Sequence, residues 1–299
     1  MATMNVLSIA FPSTIRLSAD ARLPQPPSAL ASLLSWETLE NVRELSRTLP
    51  EIPSLTSPLP QSVSDAEVER AKRLWMRAHH AFFNHFALLE YCYRSMRENW
   101  GENRHDRFEW VRRIALLWRS AGALMMFARD FYPTEAIYQD HIRAAMPPGF
   151  SGLWLSERQE LHKQKGLFEE FAETATDTDL PLVKAEIKAA HDAYLQYHFQ
   201  VMHLAAPGKI SLAQGYRKEH GRPHPITEEE ADIHDRHFKV ERSTSVEWID
   251  YADACCEVFL GLIADLQEKH RLSEGVLRDI SNGMQTAVDI FCEPQPVHE

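Results

Sequence analysis

Ser64-Asp65-Ala66-Glu67 opens the stretch whose reading decides the fold. A serine followed three residues later by a glutamate is a capping box, in which each side chain satisfies a backbone N–H at the start of a helix. Behind it Trp75, His79, Phe82, Phe86, Leu89 and Tyr93 recur at the three- and four-residue spacing of one helical face, which predicts a long helix.

The same spacing continues outward. It predicts helices from Arg107 to Phe131, Glu157 to Thr174, Leu182 to Leu204, Glu228 to Arg236, Ser245 to His270 and Ser273 to Ile290. Thr227 is the expected N-cap of the fourth of these; the acidic cluster Glu228-Glu229-Glu230-Asp232 with His234 could bind a cation but reads better as the first turn of that capped helix. Strand-like alternation is scarce, so the expected fold class is all-α, a helical bundle. Residues 1–62 differ in character: Pro12, Pro24, Pro26, Pro27, Pro50, Pro53, Pro58 and Pro60 break any long element there. They are expected to form an irregular Pro-rich N-terminal arm with one short helix near Ser35–Ser46, leaving 63–299 as the helical domain.

Composition narrows the function classes. The chain has 299 residues, 44% hydrophobic and 25% charged, enough for one large core or two modest ones. A net charge of −11 argues against duplex nucleic acid or an anionic membrane as the main partner. Cys92, Cys255, Cys256 and Cys292 form neither CxxC nor CxxCH, so a zinc knot and an ordinary c-type haem attachment lack support. No long apolar run is present, and a cytoplasmic, reduced protein is the expectation.

Three histidines, His79, His80 and His85, crowd the first long helix. The helical wheel turns His79 and His85 inward and leaves His80 nearer Arg73 and Arg77. His198 shares the inward face of its own helix with Ile187, Ala190, Tyr194 and Val201, just before the polar run Ala206 to Tyr216. An inward imidazole must satisfy both ring nitrogens, through hydrogen bonds or through a metal; spacing alone leaves both open. His191 and His203 are its neighbours and rivals. Between Tyr138 and Trp154, prolines and glycines around Phe150 predict a non-helical connection that offers aromatic groups and Arg143 to a pocket wall, or else a rigid turn with an exposed arginine. Glu-x-x-His occurs once, at Glu102–His105, and not as the pair on two helices that a di-iron bundle needs; HExxH, GxGxxG, the P-loop pattern and GxSxG are absent, which leaves haem or no metal.

With three segments taken together, the chain resembles the haem-dependent aromatic oxygenase superfamily of tryptophan 2,3-dioxygenase, and within it the haem-dependent tyrosine hydroxylases of natural-product pathways. The segments are His79-His80-Ala81-Phe82-Phe83-Asn84-His85-Phe86, the Arg143-to-Trp154 stretch with Met146-Pro147-Pro148-Gly149-Phe150-Ser151-Gly152, and Tyr197-His198-Phe199-Gln200-Val201. The resemblance implies a bundle enclosing a b-type haem with His198 as proximal ligand to iron. Tyr194, Phe82, Phe150 and Trp154 would line the haem, and Arg143 would hold the substrate carboxylate. It implies a distal acid–base histidine on the first helix, His85 in preference to His79. The haem would be non-covalent, because Met202 stands where a His-x-x-x-Cys attachment needs cysteine. The implied reaction is ring 3-hydroxylation of L-tyrosine or a close analogue by hydrogen peroxide, in a homodimer. A tryptophan or indole dioxygenase is the enzyme alternative, although the dioxygenase's glycine- and threonine-rich loop is represented only by Pro207-Gly208-Lys209-Ile210-Ser211. A non-catalytic haem-binding or interaction module is the other alternative.

Overall fold

The capping box forms as the sequence predicts. Ser64 Oγ accepts from the Glu67 N–H at 3.3 Å, and the Glu67 carboxylate accepts from the Ser64 N–H at 2.9 Å. The computed structural model describes residues 64–101, 104–130, 137–146, 152–205, 218–221, 227–240, 248–268 and 272–292. The arm of residues 1–62, its expected helix near Ser35–Ser46, Phe150 and the run 206–217 lie outside the described residues.

Helix α1 spans Asp65–Glu98 and α2 spans Arg104–Asp130. Then come a π-helical turn, Ile137–Ile142, and short 3-10 turns at Arg143–Ala145 and Gly152–Trp154. The remaining helices are α3 (Ser156–Thr174), α4 (Leu180–Ala205), α5 (Glu228–Phe238), α6 (Trp248–Glu268) and α7 (Glu274–Cys292). No β-strand occurs among the described residues, and the fold is all-α. No helix among them is long and apolar enough to cross a membrane.

Helix α1 is the axis of the bundle. Helices α2, α3 and α6 pack along it, and α5 and α7 touch it, while α2 in turn packs against α4 and α7. Every residue from Ala78 to Glu90 is buried as a result. His80, placed toward the arginines by the helical wheel, is therefore only 4% exposed. The wheel identifies the apolar stripe but not a second layer, here α5, that covers the polar side.

Residues 147–151, on which the predicted non-helical connection around Phe150 falls, lie outside the described residues; the flanking segments form π- and 3-10-helical turns. The π-helical turn brings Ile137 and Ile142, five residues apart, into burial together, which an α-helical spacing would not do. Gly122 and Gly283 set close approaches between helices. A Cβ on Gly122 would lie 2.6 Å from Tyr197 Cδ2, and one on Gly283 would lie 2.6 Å from His85 Nε2 and nearer still to Ser120. Thus α2 meets α4 at Gly122, and α7 meets α1 and α2 at Gly283.

Gly283→Ala is expected to lower stability by about 1 to 3 kcal/mol, the usual range for overpacking. Gly166→Ala, where nothing lies within 4 Å, is expected to be neutral or stabilising by up to about 1 kcal/mol through helix propensity. Urea denaturation of both variants checks the pair, and equal losses would refute the close contact at Gly283.

Candidate functional site

On α4 the inward face is the predicted one: Ile187, Ala190, Tyr194 and Val201 are buried, with His198 half-buried beside them. The close approach at Gly122 brings Tyr194 against α2 and α1, where its ring lies 4.9 Å from Trp118, 6.1 Å from Phe86 and 6.4 Å from Phe82. The His198 imidazole stacks on the open side of Tyr194 at 6.0 Å and 28°. His198 Nδ1 is buried and makes no hydrogen bond. Burial, reinforced by the positive charge of Arg158, lowers the His198 pKa to about 4. The ring is therefore neutral near pH 7 with its lone pair available.

The α1 histidines turn elsewhere. His85, fully buried, donates Nδ1–H to the Ala81 carbonyl at 2.8 Å and accepts the Ser120 hydroxyl at Nε2 at 2.9 Å. Its ring meets Phe259 edge-on at 5.7 Å, so it faces α2, α6 and α7 rather than α4. His79 donates Nδ1–H to the Trp75 carbonyl at 2.8 Å, stacks on Phe238 at 4.8 Å, and leaves Nε2 outside any hydrogen bond. His80 donates Nε2–H to the Phe238 carbonyl at 2.6 Å, satisfying an end carbonyl of α5 that has no partner within its own helix.

Of the other predicted residues, Trp154 is 8% exposed, whereas Arg143 is solvent-exposed on its 3-10 turn. The structure thus brings Phe82, Tyr194 and His198 together, and does not bring His85 to them. His191, the rival on α4, sits edge-on to Trp118 at 4.7 Å; the side chain of His203 lies outside the described residues.

The sequence reading set His234 beside the acidic run and missed the imidazole group that it joins. His234 and His237, on one face of α5, join His79 and His80 around Phe83 and Phe238, with His234 5.2 Å from Phe83 and 4.8 Å from Phe238. Its signal was legible: His-x-x-His at helical spacing behind the Thr227 N-cap, which forms as predicted and closes a capping box with Glu230. No group of three or more His, Cys, Asp or Glu among the described residues is arranged to hold a metal ion. All four cysteines are free thiols, three of them buried.

Fold and site together define an all-helical protein that presents a neutral imidazole on an aromatic wall. The family model described as SfmD 3-methyl-L-tyrosine peroxygenase matches residues 16–178, more than half of the chain. The chain belongs to that family, a haem-dependent peroxygenase family of the tryptophan 2,3-dioxygenase-like superfamily. No match is found among curated proteins. The matched span takes in α1, α2, the π-helical stretch and α3, and ends before α4. Phe82 lies inside it, Tyr194 and His198 beyond it.

A haem asks its axial histidine for a neutral ring with a nitrogen uncommitted to the protein, set against apolar side chains. His198 fits on both counts, whereas His85, with both nitrogens bonded, does not.

Burial lowers the folded pKa of His79 to about 3 and of His80 and His85 to about 4. Below the unfolded value of about 6.5 the unfolded chain binds protons that the folded one refuses, so stability falls with pH from about 6.5 to about 4. Glu90, raised by burial to about 7, works in the opposite sense: its contribution is present below about 4.5 and is lost as pH rises to about 7. His80→Gln, which retains an N–H for the Phe238 carbonyl, is expected to flatten the acid limb in urea denaturation measured across pH. An unchanged slope would contradict the burial of His80.

Proposed function

We propose that this chain hydroxylates the ring of L-tyrosine, or a close analogue such as the 3-methyl-L-tyrosine of the family's description, ortho to the phenol hydroxyl, using hydrogen peroxide and a non-covalent b-type haem. The observation that carries the reading is the buried, hydrogen-bond-free Nδ1 of His198 on the Tyr194–Phe82 wall, within a chain of a peroxygenase family.

When bound, the haem supplies the iron at which peroxide is activated for oxygen transfer. His198, neutral near pH 7, would hold it through a ring nitrogen. Tyr194 and Phe82 would line the flat ring, with Trp154 as the further wall that the resemblance implies, and would keep water away. Arg143, exposed on its turn, reaches the substrate carboxylate and fixes the amino-acid end. Proton transfer falls to an α1 imidazole, His85 or His79. His85 would have to release the Ser120 hydroxyl to accept a proton at Nε2, whereas His79 holds Nε2 outside any hydrogen bond. His79 is the better relay on these grounds. A cytoplasmic homodimer completes the reading. The family's peroxygenase description favours it over tryptophan ring cleavage and over a non-catalytic module.

Haem-supplemented wild-type protein is expected to show stoichiometric haem with an imidazole-ligated spectrum and to convert tyrosine plus peroxide to a ring-hydroxylated product, read by mass spectrometry. His198→Ala should lose the spectrum and the product together. His79→Gln should retain haem and lose most of the product, while His85→Gln should change mainly the unfolding midpoint. Wild-type protein that takes up no haem would overturn the reading, and full haem loading with no product from tyrosine or 3-methyl-L-tyrosine would overturn its substrate class.

A further inference from the structure

A run of aromatic side chains, four of them redox-active, leads away from His198. Its ring stacks on Tyr194 at 6.0 Å, and Tyr194 lies 4.9 Å from Trp118. Trp118 donates Nε1–H to the Tyr93 hydroxyl at 3.2 Å. From Tyr93 the path crosses Phe168, at 6.1 Å, to Trp100, 6.2 Å beyond. Tyr194, Trp118, Tyr93 and Phe168 are buried. Trp100, 7% exposed, lines a surface cleft of about 660 Å³ with Arg97, Gly101, Phe171 and Asp177.

The outer end of the run is built to exchange a proton with an electron. Trp100 donates Nε1–H to Asp177 Oδ2 at 3.0 Å, and Arg107 both pairs with Asp177 and lies over the Trp100 ring at 5.2 Å. The Asp179 backbone N–H, bound to the other Asp177 oxygen at 2.8 Å, leads the contacts that hold this carboxyl below its usual range. An indole that loses an electron becomes strongly acidic at nitrogen, and a fixed carboxylate in hydrogen-bond contact is the acceptor it needs.

We infer that Tyr194, Trp118, Tyr93 and Trp100 form an electron conduit that drains oxidising equivalents from the His198 site to the Trp100 cleft, where a small one-electron donor of the ascorbate type docks and is oxidised. The inference rests on the reading of His198 as the peroxide-activating site. The balance closes without another reactant. Peroxide takes two electrons and two protons and gives two waters. Each electron travelling inward leaves Trp100 as a neutral radical, its N–H proton passing to Asp177. Ascorbate returns one electron to Trp100 while the proton on Asp177 goes back to the indole. The proton lost by ascorbate is the one taken up with peroxide, and two such turns convert one ascorbic acid to one dehydroascorbic acid. The conduit therefore protects the aromatic site when peroxide is activated without a phenol in place.

The test uses the full-length chain and does not depend on haem. A ruthenium photo-oxidant is attached at Phe199→Cys, whose ring is 49% exposed and 6.4 Å from His198, with the exposed Cys292 changed to Ser. Flash oxidation of the label should yield a tryptophanyl radical that ascorbate quenches. Trp100→Phe should abolish the quenchable radical while folding unchanged by circular dichroism, and Trp118→Phe should prevent its formation. Asp177→Asn should slow its appearance and remove its sensitivity to deuterated solvent. A radical of equal yield in the Trp100→Phe and Trp118→Phe proteins would overturn the conduit, even in a chain that hydroxylates tyrosine. A quenchable Trp100 radical in a chain that binds no haem would leave the conduit standing and remove the function proposed for His198.

Discussion

Burial of α1 on every side is the constraint on which the other features depend. Ala78 through Glu90 have no solvent face, so each polar group there has to find a partner inside the protein or remain uncharged. Their partners fix the neighbouring helices. The Ser120 hydroxyl on His85 ties α2 to α1, and the Phe238 carbonyl on His80 ties the end of α5 to α1. Glycine is required at 283 because His85 and Ser120 already fill the space where its side chain would be.

The same burial sets the electrostatics. Desolvation holds His79, His80, His85 and His198 neutral near pH 7, and it holds Glu90 half-protonated there. A neutral imidazole is the form that can ligate iron, so the desolvation that keeps His198 uncharged also leaves its lone pair for a metal. Environment separates the histidines. His85 has spent both nitrogens on structure, His79 has spent one, and His198 has spent neither.

Much of this was legible in the chain. The capping boxes at Ser64 and Thr227 and the apolar spacing located the helices to within a few residues, because these are local signals read within one or two turns. For α4 the spacing also gave the correct inward face, and the family resemblance brought Phe82 into one group with Tyr194 and His198 before any coordinates. The π-helical turn at Ile137–Ile142 was not legible, since its spacing competes with proline and glycine signals of the opposite sense. Nor was the burial of His80, which depends on a helix almost 160 residues away.

By itself, then, the sequence determined the all-helical class, the run of the helices and the candidate set of imidazoles, since helix periodicity and capping are properties of neighbouring residues. Tertiary structure alone decided which histidine keeps a free nitrogen, which carbonyl or hydroxyl consumes the others, and that Tyr194, Trp118, Tyr93 and Trp100 line up from one site to the surface. Those outcomes depend on which helices meet and how closely, as at Gly122 and Gly283, and no periodicity within a single helix encodes the distance between two of them.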